Sequence, residues 1–368
     1  MIPLFKVAVD PGAGPLVAEA LRTGVLGHGP RGEEFEEALR ARLGTPHLVT
    51  LNNGTSALHL ALRLAAGPEP GGEVLTTPLT FEATNWAILA NGLRIRWVDV
   101  DPGTLNVDLD DLAKKISPAT RAVMVVHWAG HPVDLDRLSA ILDDAEAAYG
   151  FRPAVVEDCA QAWGTTHGGR PLGTHGNFCA FSFHATKHLA CGTGGMLVVP
   201  DEESLRRALR LRFFGIDRRA DRVNGDYDVP EWGYNFYLGE LSAAVGLANL
   251  ANVDGRVERH RRNAAYFDAE LAGVPGLELT ERAEGHSFWL YPVKVADRPA
   301  FIRKMTAAGV TVSAVVRRND THTSVRDAFT SALPALDAVH DRVVHIPVGW
   351  WLSERDRAHI VGAIRSGW

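Results

Sequence analysis

The spacing of apolar residues changes repeatedly along the chain. Between His47 and Glu157, short apolar runs alternate with segments whose apolar residues recur at helical spacing. The runs His47–Leu51, Glu73–Thr76, Arg94–Val98, Ala122–His127 and Ala154–Glu157 predict strands. The segments Thr55–Ala66, Glu82–Ala90, Leu109–Ile116 and Leu135–Tyr149 predict helices, the first with Leu58, Leu62 and Ala65 on one face. This βαβα order predicts an open, mostly parallel sheet covered by helices, an α/β fold. Ahead of it, Pro15–Leu43 reads as a helix, a Gly-rich turn from Gly24 to Gly32, and a second helix from Glu33. Phe178–Phe183 and Met196–Val199 predict further strands, and a helical run extends from Leu241 to about Leu271. The remainder mixes strands (Phe288–Val293, Val310–Val315, Arg342–Ile346) with helices (Arg298–Ala308, Glu354–Ile364). The pattern therefore predicts a large domain over residues 1–250 and a smaller α+β domain over 251–368.

Composition narrows the functional classes. The 38 basic and 44 acidic residues leave a net charge of −6, which argues against a nucleic-acid or membrane-surface binder. No apolar stretch approaches the ~18 residues of a membrane span, and the N-terminus has no signal-peptide pattern. Cys159, Cys179 and Cys191 form no CxxC pair and fit reduced thiols, so a cytoplasmic location is expected. The pairs His127/His131 and His184/His188 lack the glutamate of an HExxH site, so no metal is expected. No Walker A sequence and no GxGxxG after a first strand appear. Only six lysines are present, so a lysine among small and apolar residues stands out.

Three constellations could carry chemistry. In Asn52-Asn53-Gly54-Thr55-Ser56, a strand end meets a helix start; this suits a phosphate, and equally an ordinary N-cap. In Val155-Val156-Glu157-Asp158-Cys159-Ala160-Gln161, acidic residues follow a core strand, where a carboxylate could pair with a cofactor cation or cap a helix. In Ser182-Phe183-His184-Ala185-Thr186-Lys187-His188, followed by Gly192-Thr193-Gly194-Gly195, a lysine sits between an aromatic strand and a glycine turn. A desolvated lysine loses its proton readily and can form a Schiff base, although a loop lysine at the surface would look similar. In this order the three are the parts of a pyridoxal 5′-phosphate (PLP) site: anion hole, pyridinium partner and Schiff-base lysine.

At these residues the sequence resembles the DegT/StrS-type sugar-nucleotide aminotransferases, PLP enzymes of the fold-type I aspartate aminotransferase architecture. The resemblance extends over Gly24-Val25-Leu26-Gly27-His28-Gly29-Pro30, Thr77-Pro78-Leu79-Thr80-Phe81, Val98-Asp99-Val100-Asp101, Gly233-Tyr234-Asn235-Phe236 and Glu240-Leu241-Ser242-Ala243-Ala244. It implies that Lys187 holds PLP and moves the substrate proton, that Asp158 pairs with the pyridine nitrogen, and that Gln161 contacts the 3′-oxygen. It also implies that Gly54, Thr55 and Ser182 bind the phosphate, that Phe81 stacks on the ring, and that Asn235 reaches the phosphate of a neighbouring subunit. A homodimer with shared active sites follows from that last role. The implied reaction takes an amino group from glutamate and gives it to a nucleotide-linked keto sugar, such as a 4-keto-6-deoxyhexose. Two alternatives remain open: a same-fold enzyme acting on a cyclitol or making 3-amino-5-hydroxybenzoate, and a catalytically silent regulator. The sequence departs from the family pattern at Thr193, where an acidic residue usually stands. A dehydratase branch of the family carries histidine in place of the lysine; here Lys187 is present with His188 beside it, which favours transamination. Asn319, Asp320 and His322 resemble positions that reach toward the sugar or nucleotide.

Overall fold

The computed structural model describes residues 1–67, 71–218, 227–314 and 316–368. Two helices lead, α1 (Ala13–Thr23) and α2 (Pro30–Leu43). The second begins earlier than the expected Glu33, because proline suits the first helical position, where its missing N–H has no partner to lose. The alternation then runs β1 (Leu48–Leu51), α3 (Gly54–Ala65), β2 (Glu73–Thr76), α4 (Glu82–Ala90), β3 (Arg94–Trp97), α5 (Leu109–Lys115), β4 (Thr120–Val126), α6 (Leu135–Tyr149) and β5 (Ala154–Asp158). The hairpin β6 (Thr166–His167) and β7 (Arg170–Pro171) precedes β8 (Phe178–Ser182), β9 (Gly195–Val198), α7 (Glu202–Arg212), α8 (Glu240–Leu250) and α9 (Val253–Leu271). The C-terminal part adds β10 (Leu277–Leu279), β11 (Tyr291–Val295), α10 (Arg298–Ala307), α11 (Pro334–Val339), β12 (Val343–Ile346) and α12 (Glu354–Arg365).

Seven strands form one sheet in the order β1-β9-β8-β5-β4-β2-β3. The five from β8 to β3 are parallel, and β9 runs against both β8 and β1. Along β4, Ala122 and Met124 enter the core on one face while Val123 and Val125 enter it on the other. Both faces are covered, so β4 is a near-continuous apolar run in which only Arg121 is exposed. Strands β1, β5 and β8 share one direction, so Leu51, Asp158 and Ser182 lie along one edge of the sheet. The three constellations read from the sequence meet there.

A three-stranded antiparallel sheet, β10-β11-β12, carries a second core around Phe267, Tyr291, Val293, Phe301, Ile346 and Ile360. It is tied to the large sheet at defined points. The Asp99 carboxylate accepts the N–H groups of Ala335 and Leu336, each at 2.9 Å. Lys294 Nζ donates to Pro102 O at 2.8 Å.

The helical run expected over Leu241–Leu271 is two helices. Buried Asn249 sends its NH2 to Ala8 O and Ala190 O, and Asn252 bonds Asp10. These contacts fix the break between α8 and α9 against the N-terminal segment. Helix α7 was not anticipated: its composition is charged, and only Leu205, Ala208, Leu211 and Arg212 are buried. The strand expected from Phe288 begins at Tyr291, because Phe288 adopts φ 53°, outside the extended region. The segment expected as strand Val310–Val315 makes only single bridges, Val310 to Ile2 and Ser313 to His345; Val315 lies outside the described residues. No helix among the described residues is long and apolar enough to cross a membrane.

Candidate active site

Helix α3 begins directly after β1. Its N-cap is Asn53, whose side chain accepts the Ser56 N–H at 2.7 Å. The cap role is thus filled by Asn53, and the Thr55 hydroxyl makes no hydrogen bond among the described residues. The N–H groups of Gly54 and Thr55, in the first turn, have no intrahelical acceptor and favour an anion. Gly54 faces Ser182 so closely that a Cβ would lie 2.8 Å from the Ser182 Cβ, which only glycine avoids. The approach of α3 to the end of β8 therefore brings the Ser182 hydroxyl beside the helix terminus.

Asp158 ends β5 and is buried. Its Oδ2 accepts from the Thr84 hydroxyl at 2.6 Å and its Oδ1 from the Ala160 N–H at 2.9 Å. Thr84 sits in the first turns of α4 and shares a 2.7 Å hydrogen bond with Thr80. Burial raises the Asp158 pKa, against these hydrogen bonds and the Lys187 charge, which act to lower it. Gln161 is also buried; its amide oxygen accepts the Ala129 N–H at 2.8 Å, and its NH2 makes no hydrogen bond among the described residues.

Lys187 lies in the loop that returns from β8 to β9. The loop is pinned by Phe183 N–H to Gly194 O (2.8 Å), Cys191 N–H to Phe183 O (2.9 Å) and Ala185 N–H to Gly192 O (3.0 Å). Glycine is required at Gly195, where a Cβ would sit 2.4 Å from Asn53 O. Thr193 takes up its place in this turn by donating to Asn52 O at 3.0 Å, joining the lysine loop to the strand before α3. Lys187 Nζ stands 3.4 Å from the centroid of the Trp289 ring. Burial pushes its pKa down to about 7, opposed only by the Asp158 charge.

These groups surround one cavity of about 340 Å³. Gly54, Thr55, Phe81, Asp158, Gln161, Ser182 and Lys187 all line it. Phe81 is exposed at its mouth, just ahead of α4. Phe5, Thr84, Trp289 and Val316 line it too, and the sequence offered no local signal for them; Phe5, Trp289 and Val316 arrive from distant segments. Asn235 is not among the lining residues: its side chain is exposed, and its carbonyl accepts from Asn52 Nδ2 at 3.3 Å, next to the lining Asn53. Asn319, Asp320 and His322 are not among the cavity's lining residues. Asn319 is fully buried and sends its NH2 to Pro78 O (3.2 Å) and Thr80 O (2.5 Å), bracing the segment that carries Phe81. Asp320 pairs with Arg318, and His322 packs against Trp86 with Glu82 at 3.4 Å. A larger cleft of about 770 Å³ lies between α2 and α7, lined by paired carboxylates and arginines such as Glu36 and Arg212, and holds none of these residues.

The sequence profile of the DegT/DnrJ/EryC1/StrS aminotransferase family matches residues 13–365. The chain belongs to that family. Among solved structures, AtS13 from Actinomadura melliaura is 61% identical with a TM-score of 0.97, covering 100% of this chain and 99% of that one. The sugar aminotransferase CalS13 from Micromonospora echinospora is 59% identical with a TM-score of 0.97, covering all of both chains. Spr1654 from Streptococcus pneumoniae, solved in a PLP-form, is 25% identical with a TM-score of 0.90, over 99% of this chain and 98% of that one. This DegT-family chain is a PLP-dependent aminotransferase with the fold-type I architecture. The cavity suits the cofactor in chemistry: an amine that loses its proton near neutrality, a buried carboxylate, and a helix terminus whose Gly54 lets the Ser182 hydroxyl stand beside it.

Proposed function

We propose that this enzyme moves an amino group from glutamate to a nucleotide-linked keto sugar of the 4-keto-6-deoxyhexose kind. The observation that carries the reading is the meeting of the Lys187 amine, the Asp158 carboxylate and the start of α3 in one cavity, in a chain 59% identical to the sugar aminotransferase CalS13. When bound, PLP supplies a carbonyl that takes up the amino group and a ring that withdraws electrons. Lys187 Nζ would hold the cofactor, and as a free amine the same Nζ would carry a proton to and from the substrate carbon. A proton affinity balanced near neutrality lets one group give and take it. Asp158 would face the ring nitrogen and keep that nitrogen protonated. The N–H groups of Gly54 and Thr55, with the hydroxyls of Thr55 and Ser182, would hold the phosphate. The Gln161 NH2 would contact the 3′-oxygen, and Phe81 would cover the ring at the cavity mouth. Glutamate leaves as its keto acid before the keto sugar enters.

The same reading makes the enzyme a homodimer in which Asn235 completes the partner's site. Its support is Asn235, exposed and not among the cavity's lining residues, together with exposed apolar Leu26, Phe214 and Trp232 in neighbouring segments. A mixing experiment tests this. Chains carrying Lys187→Ala and chains carrying Asn235→Ala, each inactive alone, are expected to regain activity when co-refolded, because one site of each mixed dimer is intact. If Asn235 served its own subunit, every site in the mixture would stay defective and no activity would return.

We also read the chain as a large unit, residues 1–250, and a smaller one, 251–368, acting in the cytoplasm; three free, buried cysteines support a reducing compartment. Substrate identity is tested with a panel of nucleotide-linked 3-keto and 4-keto sugars, glutamate as donor, and product mass as readout. A 4-keto-6-deoxyhexose is expected to be converted fastest. Conversion of none of the nucleotide-linked sugars, with turnover of a free cyclitol ketone, would overturn the reading.

A further inference from the structure

Trp289 has no role in the chemistry described so far, yet it touches the residue at its centre. Its ring centroid lies 3.4 Å from Lys187 Nζ, and its Nε1–H donates to Thr186 O at 2.9 Å. Phe5 also stacks on it, with centroids 5.2 Å apart and planes at 25°. With Lys187 Nζ and Phe5 both packed on it, the indole is not a free platform for a sugar ring.

The backbone is bent to put it there. Phe288 holds φ 53°, a left-handed conformation that a bulky side chain rarely adopts. Neighbouring contacts over-determine it. His260 donates from Nδ1 to Phe288 O at 2.8 Å, and Ser287 N–H reaches Gly130 O at 3.2 Å. Gly130 itself has φ 93°, and a Cβ there would lie 2.4 Å from the Ser287 Oγ. Strain kept in place by several independent bonds, next to a reactive group, is the pattern of a positioned functional residue.

We propose that Trp289 is a positioning residue for the cofactor-bearing lysine: its indole face holds the Nζ ammonium in the cavity, and its N–H fixes the peptide just before Lys187. The inference rests on the reading of Lys187 as that lysine. A cation over an indole face is attracted by the ring quadrupole, most strongly where water is excluded. The ring therefore favours the ammonium, while burial favours the neutral amine. The other groups facing Lys187 are Asp158 from the end of β5 and His188 beside it, with His260 of α9 against His188 at 4.4 Å; His184 lines the same cavity. His188 and His260 are held neutral by burial, so Asp158 and the Trp289 face are the stabilisers of a charged Nζ.

The test is the pH dependence of PLP capture by the cofactor-free full-length chain, followed by absorbance. In capture the neutral amine adds to the aldehyde carbon and water leaves, so the midpoint reports the proton affinity of Nζ. For Trp289→Leu the midpoint is expected to fall by about one pH unit, the scale of a desolvated cation–π contact. For Trp289→Phe, which keeps a ring but loses the N–H, the midpoint should shift less and capture should slow several-fold at every pH. A folded Trp289→Leu chain with the wild-type midpoint overturns the proposal. If that chain does not fold, Trp289→Phe decides: slowed capture supports the proposal and a wild-type rate overturns it. Lys187→Ala run in parallel separates the two readings. Capture persisting there removes the lysine assignment itself, whereas capture lost there, with unaltered Trp289 variants, overturns only the role of the tryptophan.

Discussion

Replacing Lys187 by alanine is expected to lower amine transfer by at least about a thousandfold. On the proposed reading two functions would be lost together, the covalent hold on the cofactor and the proton carrier at the substrate carbon, and no other group in the cavity is placed to supply both. His184 lines the cavity, but an imidazole does not form the stable linkage that a lysine amine does, and His188 is buried behind the loop against His260. Lys115 bonds Trp97 O and Asp111, and Lys294 bonds Pro102 O, so neither can substitute. The substitution removes a buried amine and should leave the fold intact. Steady-state rates, combined with borohydride trapping and peptide mapping of the bound cofactor, check it: the label should fall on the Lys187 peptide in the wild type and vanish in the variant. A variant that turned over normally would refute the mechanism.

Asp158→Asn is the second large effect, expected to lower turnover by about a hundred- to a thousandfold with little change in melting temperature. The amide keeps the shape of the carboxylate. It can still accept from the Ala160 N–H, and the Thr84 hydroxyl can rotate to accept instead of donate, since Thr80 shares its hydrogen bond. What disappears is charge. Burial already makes the Asp158 carboxylate costly to ionise, so a cationic ring nitrogen beside it gains a strong partner, and removing one member of a buried pair costs about 3–5 kcal/mol. The check is kcat together with cofactor affinity: the larger change should fall on kcat, because the phosphate contacts at α3 remain. Unchanged kinetics would place the partner of the ring nitrogen elsewhere.

Much of this arrangement was legible in the sequence because it is local. The alternation of strand and helix periods between His47 and Glu157 determined a mostly parallel sheet, and the structure has it with β9 as the one reversed strand. The helix start at Gly54, the carboxylate closing β5 and the lysine between β8 and a glycine turn each carried a signal within about ten residues. The order of those signals identified the cofactor class, and the family resemblance identified the reaction class.

Other features were not legible because their causes are distant in the chain. Thr84 meets Asp158 across 74 residues, and Trp289 meets Thr186 across 103. Sequence spacing has no term for such pairs; they depend on which strands are neighbours and on how the crossover helices pack onto them. The break between α8 and α9 needed the partners of Asn249, at Ala8 and Ala190, before it could be seen. Asn319 shows the same limit. Its motif suggested a substrate contact, while burial made it a brace for the Phe81 segment. The sequence by itself determined the layered fold and singled out Lys187 as the candidate, because periodicity and short motifs record burial and turn geometry locally. Only the tertiary structure decided what stands around that lysine, because the carboxylate's threonine partner and the indole face come from segments that meet solely through packing.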